Sequence, residues 1–241
     1  VAALMFLVKE PIRQGIASVS EDDISLGQAF RFAFSRWRVF IAHYSGFALL
    51  ALPMTTLATW VPAYFIRVVG IPPQDVGFQL GLIVLLFSPV GVIAGGWFAD
   101  TLFKKGHTDA ALRVAVMAAA IMVPISILAT MFSDPMLALI FACPFAFGAS
   151  ISMGLAPTAL QLVTPNRLRG QIGAAWMLFL NIITATLGAW GVGIINDSVF
   201  GDPLAVGKSI ALVNVTAVLL GGLILWATWK PFRKAVEQQA I

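Results

Sequence analysis

The residues able to do chemistry in this sequence are few, and most of them carry no charge. Thr55, Thr56, Thr59 and Trp60 fall in one apolar run and Ser88 in the next. Ser150, Ser152 and Thr158 share a later run, and Asn181, Thr184 and Thr186 another. Hydroxyls in such surroundings usually bond their own helix backbone or a neighbouring helix. Asn181 is more demanding, because an amide in hydrocarbon without a partner is costly. It has to face a cavity or a second helix. Thr55, Thr56, Thr59, Trp60, Ser88, Ser152, Asn181 and Thr184 are therefore the candidates for touching a passing molecule by hydrogen bonding. Trp60 and Gln161 also lie toward the ends of their runs, where an interfacial anchor is the plainer role.

The charged candidates sit at the ends of runs. Gly96, Asp100, Lys104 and Lys105 mark the point where one apolar segment reaches water, and Arg167 and Arg169 lie in a later polar turn. A charge in the middle of a membrane costs at least ~2.5–3.5 kcal/mol and usually marks function. Here the middles hold none, which leaves no buried proton relay and no fixed counter-charge. His43 opens a run beside Tyr44 and is expected at the interface, where a pH-sensing role is the less ordinary alternative. No HExxH, GxSxG, Walker sequence or set of metal ligands is present, so neither an enzyme nor a metal or cofactor site is expected. Gly188-x-x-Gly191-x-Gly193 follows no strand and is no dinucleotide loop. Gly77-x-x-x-Gly81 and Gly91-x-x-x-Gly95 allow close helix approach. Asn196-Asp197-Ser198 fits a glycosylation sequon, a pattern that recurs by chance.

The elements that must position these residues follow from composition. Hydrophobic residues make up 59% of the 241 and charged residues 11%, with a mean hydropathy of +0.92. Soluble domains are about a quarter charged, so this is an integral membrane chain. Complete spans are expected near 40–66, 77–99, 112–132, 136–162, 172–196 and 209–229. Each approaches or exceeds the ~20 residues that a helix needs to cross a bilayer. The runs are too long and too evenly apolar for barrel strands. Lys and Arg then orient the bundle: thirteen lie in segments on one side and two, Arg67 and Lys208, on the other. That bias places the linker and the C-terminus in the cytoplasm of a cell that inserts the chain in its inner membrane. It also explains the net charge of +4 without nucleic acid.

Residues 1–8 are apolar but too short to span, and are expected to end a preceding transmembrane helix in a longer protein. Residues 9–39 form a cytoplasmic linker with an amphipathic helix near 22–36. Residues 40–230 form the bundle, and 231–241 a cytoplasmic tail. Aromatic and basic residues interleave in the linker helix, as suits either the cytoplasmic leaflet or an ordinary connecting helix. Cys143 is a lone packing residue.

Gly96-Trp-Phe-Ala-Asp100-Thr-Leu-Phe-Lys104-Lys105 resembles the G-x-x-x-D-R-x-G-R-K loop of the major facilitator superfamily. Thr101 replaces the usual Arg and Phe103 the usual Gly, as in the looser second copy between helices eight and nine. The resemblance implies an all-α, six-helix membrane bundle forming the C-terminal half of a twelve-helix fold. Val8-Lys-Glu-Pro-Ile-Arg13-Gln-Gly15 and Val163-Thr-Pro-Asn-Arg167-Leu-Arg169-Gly170-Gln171, with Phe200-Gly-Asp-Pro203, are similar to bacterial spinster-like members. It further implies alternating access around a midplane site, with helices seven, eight, ten and eleven lining the cavity. For that branch it implies proton-linked movement of a lipid-like or amphiphilic substrate. Small organic anions or drug-like compounds are the alternative, and a membrane receptor or scaffold the non-transport one. On this reading Asp100 would meet a helix N-terminus of the other half, with Arg167 or Arg169 pairing to it as a cytoplasmic gate.

Overall fold

The computed structural model describes residues 26–238, and among these no strand occurs. The amphipathic helix α1 spans Leu26–Ser35, and the expected start of that helix and the segment 1–8 lie outside the described residues. Helix α2 covers Trp37–Thr59, runs on through Val61–Tyr64, and widens into a π turn at Phe65–Val69. Helix α3 spans Pro73–Lys104, α4 Ala110–Leu128 and α5 Pro135–Val163. Helix α6 begins at Arg169–Ile183 and continues through the π segment Thr184–Trp190, Gly191–Ile195 and a last π turn at Asn196–Phe200. Helix α7 spans Val206–Ala227 and α8 Trp229–Glu237.

The sequence sets these boundaries with ordinary signals. Pro73 occupies the first turn of α3 with Asp75, an anion suited to the positive helix end. Gly106, at φ 88°, takes the left-handed conformation just beyond the C-terminus of α3. Asp134 caps α5 by accepting from the Leu137 N–H at 2.9 Å, with Pro135 following. Asp202 does the same for Leu204 in the short turn that leads into α7. The interior prolines Pro53, Pro89, Pro124, Pro144 and Pro157 all stay within continuous helices. That is tolerated where neighbouring helices satisfy the freed carbonyls.

Six of these helices are long and apolar enough to cross a membrane. They pack as a bundle with α2 at its centre, against α5, α6 and α7, while α3 lies along α5 and α4 along α7. Burial follows that order: 61% of the most apolar window of α2 is buried, against 22% for α3 and 11% for α6. α3 and α6 are therefore the helices with the most face to offer outward.

Close contact is made by glycine. A Cβ on Gly91 of α3 would collide with the Phe147 carbonyl of α5, and one on Gly95 would stand 2.8 Å from the Ile151 oxygen. A Cβ on Gly221 of α7 would stand 2.8 Å from the Gly46 oxygen of α2. Small residues let backbones approach to this extent and gain dispersion along the whole seam. Gly77 and Gly81 share the spacing of Gly91 and Gly95 but not the role. Both are exposed, with open space around them, because the first turns of α3 direct that face away from the rest of the chain.

The segment expected as a tail is also different. In α8, Phe232, Ala235 and Val236 share one face and are buried against the bundle. The Arg36 guanidinium donates to the Ala235 carbonyl at 3.4 Å, joining α8 to the start of α2.

Candidate substrate path and cytoplasmic gate

The three threonines of α2 point three ways, as the 100° step of a helix requires. Thr55 is half-buried and packs on α6, where a Cβ on Gly188 would lie 3.1 Å from its methyl group. Thr56 is fully buried and faces α7. Its hydroxyl lies 3.0 Å from the Pro53 carbonyl and 3.1 Å from Asn214 Oδ1, and Asn214 Nδ2 donates back to it at 2.9 Å. Thr59 is exposed and donates to the Thr55 carbonyl of its own helix at 2.8 Å. The set expected to act together is thus divided between a helix contact, a buried polar lock and an open face.

Trp60 is half-buried at the end of α2 and tied to α6. Its indole N–H donates to the Ala189 carbonyl at 2.6 Å, and its ring covers Gly193. A buried indole N–H needs an acceptor, and the π segment Thr184–Trp190 supplies one by turning its carbonyls off the regular ladder. Asn181 and Thr184 lie on the same helix. Asn181 is exposed, with Nδ2 donating to the Met177 carbonyl at 2.7 Å. Thr184 is half-buried and donates to Leu180 at 2.9 Å. Thr59, Asn181 and Thr184 therefore present polar groups whose local bonds leave further lone pairs and N–H groups available to a ligand.

Ser88 and Ser152 are both buried, on the helices α3 and α5 that the glycine seam joins. Gly154, close by on α5, would meet Val92 of α3 if it carried a Cβ. Neither serine belongs to the open face of α2 and α6.

His43 overturns the interfacial expectation. α2 starts at Trp37, so His43 is already nearly two turns inside it and turned toward α5. It is 2% exposed, donates Nε2–H to the Ala156 carbonyl at 2.9 Å, and packs on Tyr44, Phe47 and Trp176. Its place is the junction of α2, α5 and α6.

At the other set of candidates, Gly96 has open space around it and Asp100 is exposed on the last turns of α3, near Lys104 and Lys105. Asp100 makes no ion pair among the described residues. Arg167 is exposed in the 3-10 turn Asn166–Leu168. Arg169 is committed locally: Nε donates to the Thr164 carbonyl at 3.2 Å and Nη2 to Gln161 at 3.0 Å, closing the C-terminal end of α5. The acid that the bundle does pair is Asp109, only 2% exposed and not among the sequence candidates. Its Oδ1 lies 3.0 Å from Arg113 Nε, a contact of charges rather than an aligned hydrogen bond, and 3.4 Å from Arg233 Nη2 of α8. The Arg113 guanidinium also covers the Trp229 ring at 5.1 Å. Asp109 ties together the start of α4 and α8.

Asn196, the sequon residue, is buried and accepts from Ser209 at 3.2 Å, which rules out a glycan on it in this fold. Among the described residues no group of His, Cys, Asp and Glu could hold a metal ion.

Comparison with known proteins agrees with this architecture. An MFS-type efflux pump of Mycolicibacterium smegmatis is 26% identical over 204 residues, covering 83% of this chain and 47% of that protein. A D-galactonate transporter of Escherichia coli O6:H1 is 28% identical over 193 residues, covering 78% of this chain and 41% of that one. The chain thus spans about half the length of the relatives it matches. Two crystal structures of a bacterial homologue of the human lysosomal transporter Spinster share its fold. The inward-facing unoccupied form gives a TM-score of 0.63 at 15% identity, over 98% of this chain and 56% of the other. The inward-facing occupied form gives 0.60 at 14% identity, over 97% and 54%. The Major Facilitator Superfamily profile matches residues 1–189, and with that match the chain belongs to the Major Facilitator Superfamily.

Proposed function

We propose that this chain is the C-terminal six-helix half of a secondary transporter that works by alternating access and carries an amphiphilic or lipid-like substrate, driven by protons. The observation that carries the reading is the open face shared by α2 and α6. It bears Thr59, Asn181 and Thr184 in an otherwise apolar surround and no charge. A face of that kind suits a molecule with a long apolar body and few polar groups. The outward faces of α3 and α6 would meet the other half, and the proton-carrying acid would reside there, since the middles of the described spans hold no acid. Relatives described as an efflux pump and a transporter support the activity.

The gate belongs to the same proposal. Asp100 stands exposed beside Lys104 and Lys105 with no ion pair among the described residues, while Arg169 is held by carbonyls of α5. The partner of Asp100 would then be a helix N-terminus of the other half, with Arg167 free to approach it. The linker side and the C-terminus would be cytoplasmic, by the distribution of Lys and Arg.

A second reading is favoured by one relative, the D-galactonate transporter: a small organic anion as substrate, with its fixed positive charge in the other half. Uptake into proteoliposomes by the complete protein tests both. A labelled lysolipid accumulating only under a pH gradient supports the first. Galactonate accumulation without lysolipid uptake overturns it in favour of the second.

A further inference from the structure

At the end of the bundle where α4 begins and α8 returns, three donor atoms are left over. Thr108 Oγ1, Arg113 Nε and Trp229 Nε1 are each covered by protein, and none has a hydrogen-bond partner. They belong to one cluster. Thr108 precedes Asp109 in the turn that leads into α4. Arg113 Nε lies 3.0 Å from Asp109 Oδ1, but its N–H is not aligned on that oxygen. The Arg113 guanidinium covers the Trp229 ring at 5.1 Å from its centroid. Arg233 Nη2 closes the group, 3.4 Å from the same Asp109 oxygen. A donor buried without an acceptor is costly, and native folds keep few of them. Three in one cluster call for something that accepts.

The charge of the cluster points the same way. Two guanidinium groups, Arg113 and Arg233, face the one carboxylate of Asp109, which leaves one positive charge. Among the described residues the neighbouring turns add His107, Lys230 and Lys234, and a single acid, Glu237, on an exposed position of α8. An ordered water answers this poorly. It accepts two hydrogen bonds at most, brings two donors of its own and carries no charge.

We infer that this corner binds a small monovalent anion of halide size. The ion accepts from Thr108, Arg113 and Trp229 and neutralises the charge that Asp109 leaves over. A halide suits the site because the donor atoms are already covered, so the ion has to be small, and a sphere accepts from any direction. Arg113 and Arg233 are 30% and 43% exposed, which opens the corner to water. The bound ion joins the turn before α4 to the start of α8, and its occupancy tightens the docking of α8 on the bundle. None of these residues lies on α2 or α6, and binding here does not depend on what the bundle carries.

The test titrates the complete protein, in a neutral detergent, with sodium bromide against sodium gluconate at fixed ionic strength, so that general screening is constant. Bromide quenches indole fluorescence, and gluconate is monovalent but too large to enter. A saturable quench is expected in the wild type, suppressed by chloride and lost in Trp229→Phe. Thr108→Val should weaken bromide about fivefold to tenfold, as the loss of one donor to a charge. Arg113→Lys keeps the charge and removes the Nε donor, and should weaken it by about tenfold or more. Lys234→Gln removes a charge from the exposed side of α8 and should change affinity by no more than about twofold. A thermal melt confirms that each variant is folded. Crystals of the complete protein soaked in bromide give an independent readout: an anomalous peak within hydrogen-bond distance of Thr108, Arg113 and Trp229. A quench that never saturates, a saturable quench retained in Trp229→Phe, or equal affinity in wild type, Thr108→Val and Arg113→Lys overturns the site. So does a water in place of the bromide peak.

Discussion

Two helix pairs in this bundle are built from similar residues and behave in opposite ways. Along α3 and α5, Gly91 and Gly95 bring backbone against backbone, and the buried Ser88 and Ser152 sit in the helices they join. Along α2 and α6, Gly188 and Gly193 also receive neighbours, but the neighbours are side chains: Thr55 and Trp60. In the first seam an added Cβ meets backbone, which has to shift; in the second it meets side chains, which can change rotamer, and beside that seam Thr59 and Asn181 are exposed. Closed glycine seams make a rigid body, and side-chain seams make a surface that can adjust to a ligand.

The largest break in that contrast comes from filling the rigid seam. Gly91→Leu drives a side chain into the Phe147 carbonyl, where backbone has to shift. Overpacking of this kind costs about 1–3 kcal/mol or more, and the yield of folded protein from membranes should collapse. Gly77→Leu, with the same local sequence spacing but open surroundings, should express as wild type. Size-exclusion profiles of the two variants make the comparison.

Next in size is the polar lock between α2 and α7. Asn214→Leu removes both bonds to Thr56. Measured interhelical bonds in membranes average ~0.6 kcal/mol and reach ~1.7. Full burial of both groups puts this pair toward the upper value, and Thr56→Val in the same background should add little. A double-mutant cycle by unfolding in mixed micelles would detect the coupling, and strict additivity would refute it.

A smaller effect is expected at the end of the bundle. Asp109→Asn weakens the attraction to Arg113 and Arg233. Because Arg233 is partly exposed, the loss should be about 1 kcal/mol or less after screening. α8 should then be cleaved more readily by trypsin at Arg233 or Lys234, while the bundle core resists. Unchanged cleavage would mean that Phe232 and Val236 alone hold the helix.

These contrasts were only partly legible in the sequence. Hydropathy revealed all six spans, because a bilayer demands about 20 apolar residues and imposes that length on any sequence. The direction each residue faces was not legible. In a helix that is apolar all round, no polar face marks the outside, so the periodicity that orients a soluble helix is missing. Gly77–Gly81 and Gly91–Gly95 are equivalent as strings and differ only in what α3 passes. A run that starts at residue 40 puts His43 at its end, whereas α2 starts at Trp37 and His43 is buried against α5 and α6. Asn214 drew no notice, being one amide in the last span, yet it is the residue that holds Thr56. Nothing in the sequence sets Asp109 apart from the other charges between the second and third spans, and its partner Arg233 is brought to it by α8. Of the path candidates, Thr59, Asn181 and Thr184 lie toward the open face, and Thr56, Ser88 and Ser152 are buried within the bundle.

The gate proposed above has Asp100, on the last turns of α3, bonding to a surface outside this chain. Asp100→Asn in the complete protein tests it most directly. Spin labels at the cytoplasmic ends of the two halves report the distance between them. The account predicts a shift of the population toward the inward-open distance, a changed transport rate and an unchanged melting temperature, because Asp100 has no ionic partner among the described residues. Identical distance distributions and identical transport in the variant and the wild type would contradict it.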